Sequence, residues 1–435
     1  MPNSFARRIV ISCAAALVAA ALVAAAPCAP LFAEEQENWP GWRGPRGDGS
    51  SWEQKSPTQW NGPSGEQIAW KVEIPGTGHS SPIVWKDRVF LVACLPDTRQ
   101  RVLLALDRKT GHTIWRQVVV ESDLENKHAL NSHASGTPAT DGALVYVSFL
   151  AMDGTNDLGG RRTPGEMVVA AYDFDGQKKW LVKPGRFASV HGFCSSPVLF
   201  EDKVIVNGDH DGDAYLVALD KSSGKTLWKV DRPNKTRSYV TPIIRQIDGR
   251  TQMLLSGSKS VTSYDPRTGE QHWYMDGPTE QFVASLVYDG QLLYLTAGFP
   301  EHHILAMKAD GKGKIGDDSI VWRTKQNCSY VPSPIVCGDY FLVASDEGIA
   351  SCYHGASGKL QWKERIGKHY SASLITAGGL VYFLADDGQM KVVRPGPKLT
   401  VVATNDLGED CSASPAISQG QIFIRGEKHL FCIGK

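Results

Sequence analysis

None of the nine cysteines is adjacent to another, and none forms a C-x-x-C or C-x-x-C-H motif. That excludes the thiol redox and haem-attachment signatures. Net charge is also absent, with 46 basic residues against 46 acidic ones. Nothing therefore draws the chain generally to nucleic acid or to an acidic membrane surface. No recognisable nucleophile–base pair stands out. Beyond the N-terminus there is no run long and apolar enough for a transmembrane helix.

What the chain does have is a repeat. The pattern A-L-D-x-x-T-G-x-x-x-W stands nearly complete as Ala105-Leu106-Asp107, Thr110-Gly111 and Trp115. It returns as Ala218-Leu219-Asp220, Gly224 and Trp228, and as Tyr264-Asp265, Thr268-Gly269 and Trp273. Looser copies end at Trp180, Trp322 and Trp362. Upstream of each lies a small polar cluster, a Pro or small residue, an apolar run, a turn and a second apolar run. Ser80-Ser81-Pro82 opens the first such half-motif and Ala413-Ser414-Pro415 the eighth. A unit of about forty to fifty residues holding several short strands is the signature of a β-propeller blade.

The turns support four antiparallel strands per unit. Asp141-Gly142, Asp289-Gly290 and Gly378-Gly379 tolerate the positive φ angles that tight hairpins need. Pro at the head of an innermost strand is harmless, because that residue need not donate to the ladder. The eighth unit runs out of chain before its outer strand. The missing strand precedes the first unit, at Ile68-Ala69-Trp70-Lys71-Val72. The fold expected is an all-β, eight-bladed propeller closed by this N-terminal strand, which removes its exposed edges. Trp70, Trp115, Trp180, Trp228, Trp273, Trp322 and Trp362 then serve structurally, each indole lying between blades against a turn glycine.

Residues 1–33 read as a signal peptide, with Arg7-Arg8 followed by an Ala-rich apolar run and cleavage near Ala33. Residues 34–66 form an N-terminal extended segment, and residues 67–435 form the single propeller domain. The expected product is exported to the periplasm or beyond, has no transmembrane segment after cleavage, and is a monomer. Cleavage leaves Cys94, Cys194, Cys328, Cys337, Cys352, Cys411 and Cys432. An odd number spread evenly does not suggest a disulfide framework.

Propeller topology gathers the outer-to-inner crossings and the second-to-third loops on one face. Eight of the twelve histidines fall there: His79, His128, His133, His191, His210, His302, His303 and His369. The candidate ligand-binding residues at the channel mouth are His79, His133, His191, Tyr239, Tyr330 and His369. Imidazole and carboxylate together suit a transition metal. The loop Asp209-His210-Asp211-Gly212-Asp213 offers Asp209, His210, Asp211 and Asp213 as candidate metal ligands, the three carboxylates alone suiting Ca²⁺. Arg161-Arg162, in an insertion of blade 2, could meet a partner. No catalytic residue can be assigned.

The A-L-D-x-x-T-G-x-x-x-W units resemble the tryptophan-docking repeats of the pyrroloquinoline quinone (PQQ) propeller superfamily. No Trp-Asp dipeptide occurs, which argues against WD40 repeats. The opening Trp39-Pro40-Gly41-Trp42-Arg43-Gly44-Pro45-Arg46-Gly47-Asp48-Gly49 is similar to that of exported bacterial members. The resemblance implies one of two branches. One is a quinoprotein dehydrogenase using PQQ and Ca²⁺. The other is a non-catalytic scaffold of the BamB type. Lacking the adjacent cysteines that cover the quinone in many of the enzymes, the chain is expected to be BamB-like. It would be an exported non-enzymatic scaffold with a protein partner or small ligand in the cell envelope. The alternative is a PQQ- or metal-dependent oxidoreductase with its site at the channel mouth.

Overall fold

A computed structural model describes residues 37–154 and 163–434. The expected signal peptide and Arg161-Arg162 lie outside the described residues. Eight sheets follow one another along the chain. Blade 1 holds Ile83–Trp85, Arg88–Leu95, Gln100–Asp107 and Thr113–Glu121, each hydrogen-bonded antiparallel to the next. Blades 2 to 7 begin at Ala139–Thr140, Val198–Phe200, Ile243–Ile247, Val287–Tyr288, Ile335–Cys337 and Ile375–Ala377. Blade 8 takes three strands from the C-terminus, Ala416–Ser418, Gln421–Arg425 and His429–Ile433. Its fourth is Ile68–Glu73, paired antiparallel with His429–Ile433. The protein is therefore an eight-bladed propeller, and its first strand seals its last blade.

The repeat motif explains how blades join. Asp107 Oδ1 accepts the Thr110 backbone N–H at 2.8 Å and the Thr110 hydroxyl at 2.7 Å, and Gly111 N–H donates to Asp107 O. Gly111 then adopts φ +74°, which favours glycine. A Cβ there would come within 2.7 Å of the Trp70 ring, so the bare glycine is also the seat of the indole from the preceding blade. Trp115, Trp180, Trp228 and Trp322 sit likewise on Gly176, Gly224, Gly269 and Gly358. Each indole Nε1 also donates to a carbonyl of that next blade, at 2.6–3.1 Å. Trp362 donates to Gly396 O at 3.1 Å.

Trp273 departs from the pattern. Blade 5 reaches its outer strand through a long connection in place of a Thr-Gly turn. Within that connection Gly313–Lys314 runs parallel to Trp273-Tyr274 as a fifth strand. Trp273 is fully buried and donates instead to Gln252 Oε1 of its own blade, at 2.9 Å.

The N-terminal segment plugs the channel at the face opposite the crossings. Trp39 exchanges backbone hydrogen bonds with Val84 of blade 1, and Pro40 O accepts Thr140 N–H of blade 2. Trp42 Nε1 donates to Ser285 Oγ of blade 5 at 3.0 Å. Buried Arg43 donates from Nη2 to Pro334 O of blade 6 at 2.6 Å and Leu374 O of blade 7 at 3.4 Å. Asp48 pairs with Arg245 of blade 4 at 2.9 Å. Innermost strands present unpaired backbone groups to the axis, and the plug satisfies several of them. Residues beyond it bond to blades 7 and 8, through Gly378, Gly420, Asn405 and Asp406, and lead the chain out to Ile68–Glu73.

Candidate functional site

The open face carries a funnel of about 910 Å³ at the channel mouth. Its depth follows from the plug: Trp42, carried in on the N-terminal segment, lines it. Above the plug lies a belt of hydroxyl residues, one from the head of each innermost strand. Five inter-blade bonds of one kind link them. Ser81 N–H donates to Thr137 Oγ1 at 3.2 Å, and Thr137 N–H to Ser196 Oγ at 2.9 Å. Ser285, Ser333 and Ser373 N–H donate to Ser333, Ser373 and Ser414 Oγ at 2.9, 3.0 and 2.9 Å. At these five junctions the small polar residue opening a repeat therefore stitches neighbouring blades around the axis.

Five of the six expected ligand-binding residues line the funnel: His79, His191, Tyr239, Tyr330 and His369. His133 is not among the lining residues. Its Nε2 is 2.9 Å from Glu125 O within its own crossing loop. The funnel also takes in His128, His302, Arg237, Gln281, Asp346 and Glu347. Burial, with the charge of Arg425 adding to it, pushes His79 down to about 4. Burial and then Arg237 lower His191. Both rings are thus neutral hydrogen-bonding groups near neutral pH. Burial raises Tyr330 to about 12, and Tyr239, whose hydroxyl is 2.8 Å from Ser189 Oγ, is raised too. Burial also pushes the lining thiols Cys194 and Cys328 up to about 12, which suits neither nucleophile nor metal ligand.

Carboxylates beyond the second strands brace the crossing loops. Asp346 accepts the backbone N–H of Tyr330 at 2.8 Å and of Val331 at 3.0 Å. Asp386 accepts Ser371 N–H at 2.6 Å, the Ser371 hydroxyl at 2.9 Å and His369 Nδ1 at 2.5 Å. Asp209 occupies the corresponding place in blade 3 and is fully buried against Arg232, with Nε–Oδ1 2.8 Å and Nη2–Oδ2 3.2 Å.

The three carboxylates of the Asp-His-Asp-Gly-Asp loop, expected as candidate metal ligands, each pair with a basic side chain. Asp209 is committed to Arg232, Asp211 to Arg237 at 2.7 Å, and Asp213 to Lys235 at 2.6 Å. His210 accepts Gly212 N–H at Nδ1, and its Nε2 lies 3.2 Å from Asp213 O. Among the described residues no group of three or more His, Cys, Asp or Glu side chains is placed to hold a metal ion. No helix among them is long and apolar enough to cross a membrane.

A family model described as outer membrane protein assembly factor BamB matches residues 56–180, 99–298 and 300–394. Comparison with curated protein sequences gives no match. Among solved structures, BamB from Moraxella catarrhalis aligns with a TM-score of 0.58 at 12% identity, over 84% of this chain and 99% of that one. A europium-containing methanol dehydrogenase aligns with a TM-score of 0.52 at 13% identity, over 92% of each chain. Quinohemoprotein alcohol dehydrogenase from Comamonas testosteroni gives 0.50 at 13% identity, over 92% of this chain and 81% of that one. Likeness at such identities establishes the fold and transfers no activity.

Proposed function

The chain belongs to the family of the outer membrane protein assembly factor BamB, and from that premise we propose an exported, non-enzymatic binding scaffold of the cell envelope. Its binding site is the funnel at the channel mouth. The observation that carries this reading is the plug. With Trp42 at its base, the channel becomes a cup of about 910 Å³ walled by polar groups from the crossing loops, a size suited to a small ligand or an inserted peptide segment. Leu130 and Phe299, 59% and 51% exposed, also line it and offer apolar contact.

The oxidoreductase alternative would use the same funnel. The funnel's two cysteines, Cys194 and Cys328, are separate free thiols, and among the described residues no group of three or more His, Cys, Asp or Glu side chains is placed to hold a metal ion. The funnel therefore lacks the adjacent-cysteine cover found in many of the quinone enzymes.

Thermal-shift titration of the mature protein with small polar compounds and short peptides tests the proposal. The double variant His191→Ala, His369→Ala is run beside it. A saturable rise in melting temperature in the wild type, lost in the variant, is expected. Equal stabilisation of both proteins would place binding elsewhere. Turnover of an alcohol in the presence of PQQ and Ca²⁺ would overturn the non-enzymatic assignment.

A further inference from the structure

His369 differs from the other histidines of the funnel. It stands on the crossing into blade 7, and its ring is 40% exposed. Behind it, Asp386 lies 2.5 Å from Nδ1. A carboxylate only accepts hydrogen bonds, so Asp386 holds the proton on Nδ1 and leaves the Nε2 lone pair free. The carboxylate is itself fixed by Ser371, through both backbone N–H and hydroxyl. Among the described residues no protein group bonds Nε2. By contrast, His128 spends its Nδ1 lone pair on Leu130 N–H at 3.2 Å, and no other histidine of the funnel has a carboxylate bonded to its ring.

We propose that His369, oriented by Asp386, is a proton-accepting subsite of the funnel, and that the ligand presents a hydroxyl group to Nε2. The inference rests on the funnel being the binding site. The donor is assigned as a hydroxyl because Ser371, Ser373 and Ser414, which line the funnel with His369, suit a neutral, hydroxylated neighbour. For a weakly acidic hydroxyl the hydrogen bond extends to transfer. The O–H bond breaks, its proton goes to Nε2, and the oxyanion faces an imidazolium paired with Asp386. Nothing is oxidised or reduced.

Two measurements separate the dyad from the site. Long-range ¹⁵N–¹H spectra of the neutral ring report the His369 tautomer directly. A protonated Nδ1 and bare Nε2 are expected, with that signature lost in Asp386→Ala. A proton on Nε2 in the wild type overturns the proposal whether or not the funnel binds anything. The second measurement titrates p-nitrophenol, whose phenolate band reports proton transfer, while a thermal shift reports binding. Wild type is expected to show both, and His369→Gln is expected to bind the probe roughly tenfold more weakly, about 1.4 kcal/mol, without the phenolate band. Binding with no phenolate band, or a band unchanged in His369→Gln, defeats the proton-accepting role while leaving the funnel reading intact. Absence of any binding alongside the expected tautomer defeats the ligand assignment and weakens the funnel reading with it.

Discussion

Trp70 lies on Gly111, with its indole Nε1 2.8 Å from Arg108 O. Trp70 belongs to the strand that completes blade 8, and Gly111 to the turn before the outer strand of blade 1. The same contact that joins ordinary neighbours therefore also fastens the two ends of the chain. Closing the ring needs no special device, only one more copy of the docking pair.

Trp228 tests what that pair is worth. It rests on Gly269, where a Cβ would come within 3.0 Å of the ring, and donates to Pro266 O at 3.1 Å. Trp228→Ala removes a large indole from between blades 3 and 4 and leaves a cavity. The expected loss is about 3–5 kcal/mol, read as a lower denaturant midpoint. An unchanged midpoint would remove the docking role.

How much of this was legible in the sequence depended on repetition. Blade count, ring closure and the face carrying the crossings follow from a motif that recurs, and so do His79, His191 and His369 at the mouth. Trp42 was not legible, because the plug lies outside the repeat and is held by contacts hundreds of residues away, such as Trp42 to Ser285. Its one signal was a Trp/Gly/Pro-rich segment too specific for a linker. His133 was misplaced because side-chain direction in an irregular loop has no period. The ion pair of Asp209 was not legible because its counter-charge, Arg232, arrives from just beyond the outer strand of blade 3, 23 residues on.

That buried pair makes an asymmetric prediction. Arg232 also donates to Tyr264 Oη at 2.8 Å and Gly257 O at 3.0 Å. Arg232→Met strands the Asp209 carboxylate in a fully buried site and should cost about 3–5 kcal/mol. Adding Asp209→Leu removes the stranded charge, so the double variant should regain much of that loss. Denaturation midpoints of the two singles and the double decide it. A double variant weaker than Arg232→Met alone would mean that Asp209 has another essential partner.

The last prediction concerns pH, where two buried groups pull in opposite senses. His79 is held at about 4 against an ordinary 6.5, chiefly by burial. Between those values the unfolded chain takes up a proton that the folded one refuses. The contribution of His79 is therefore complete above 6.5 and is lost as pH falls toward 4. His133, His191, His210 and His303, also lowered by burial, act in the same sense. Glu125 is raised from 4.5 to about 7, mainly by burial. Its folded form keeps a proton that the unfolded chain releases, so its contribution is complete below 4.5 and is lost as pH rises toward 7. Each effect is worth at most about 3 kcal/mol, at about 1.36 kcal/mol per pH unit. In the wild type the two slopes offset each other. Glu125→Gln should therefore make stability climb more steeply with pH between 4.5 and 6.5. His79→Asn should flatten or reverse that climb. Denaturant midpoints across this range, measured for all three proteins, check the signs, and three parallel curves would show that neither group is held as its burial implies.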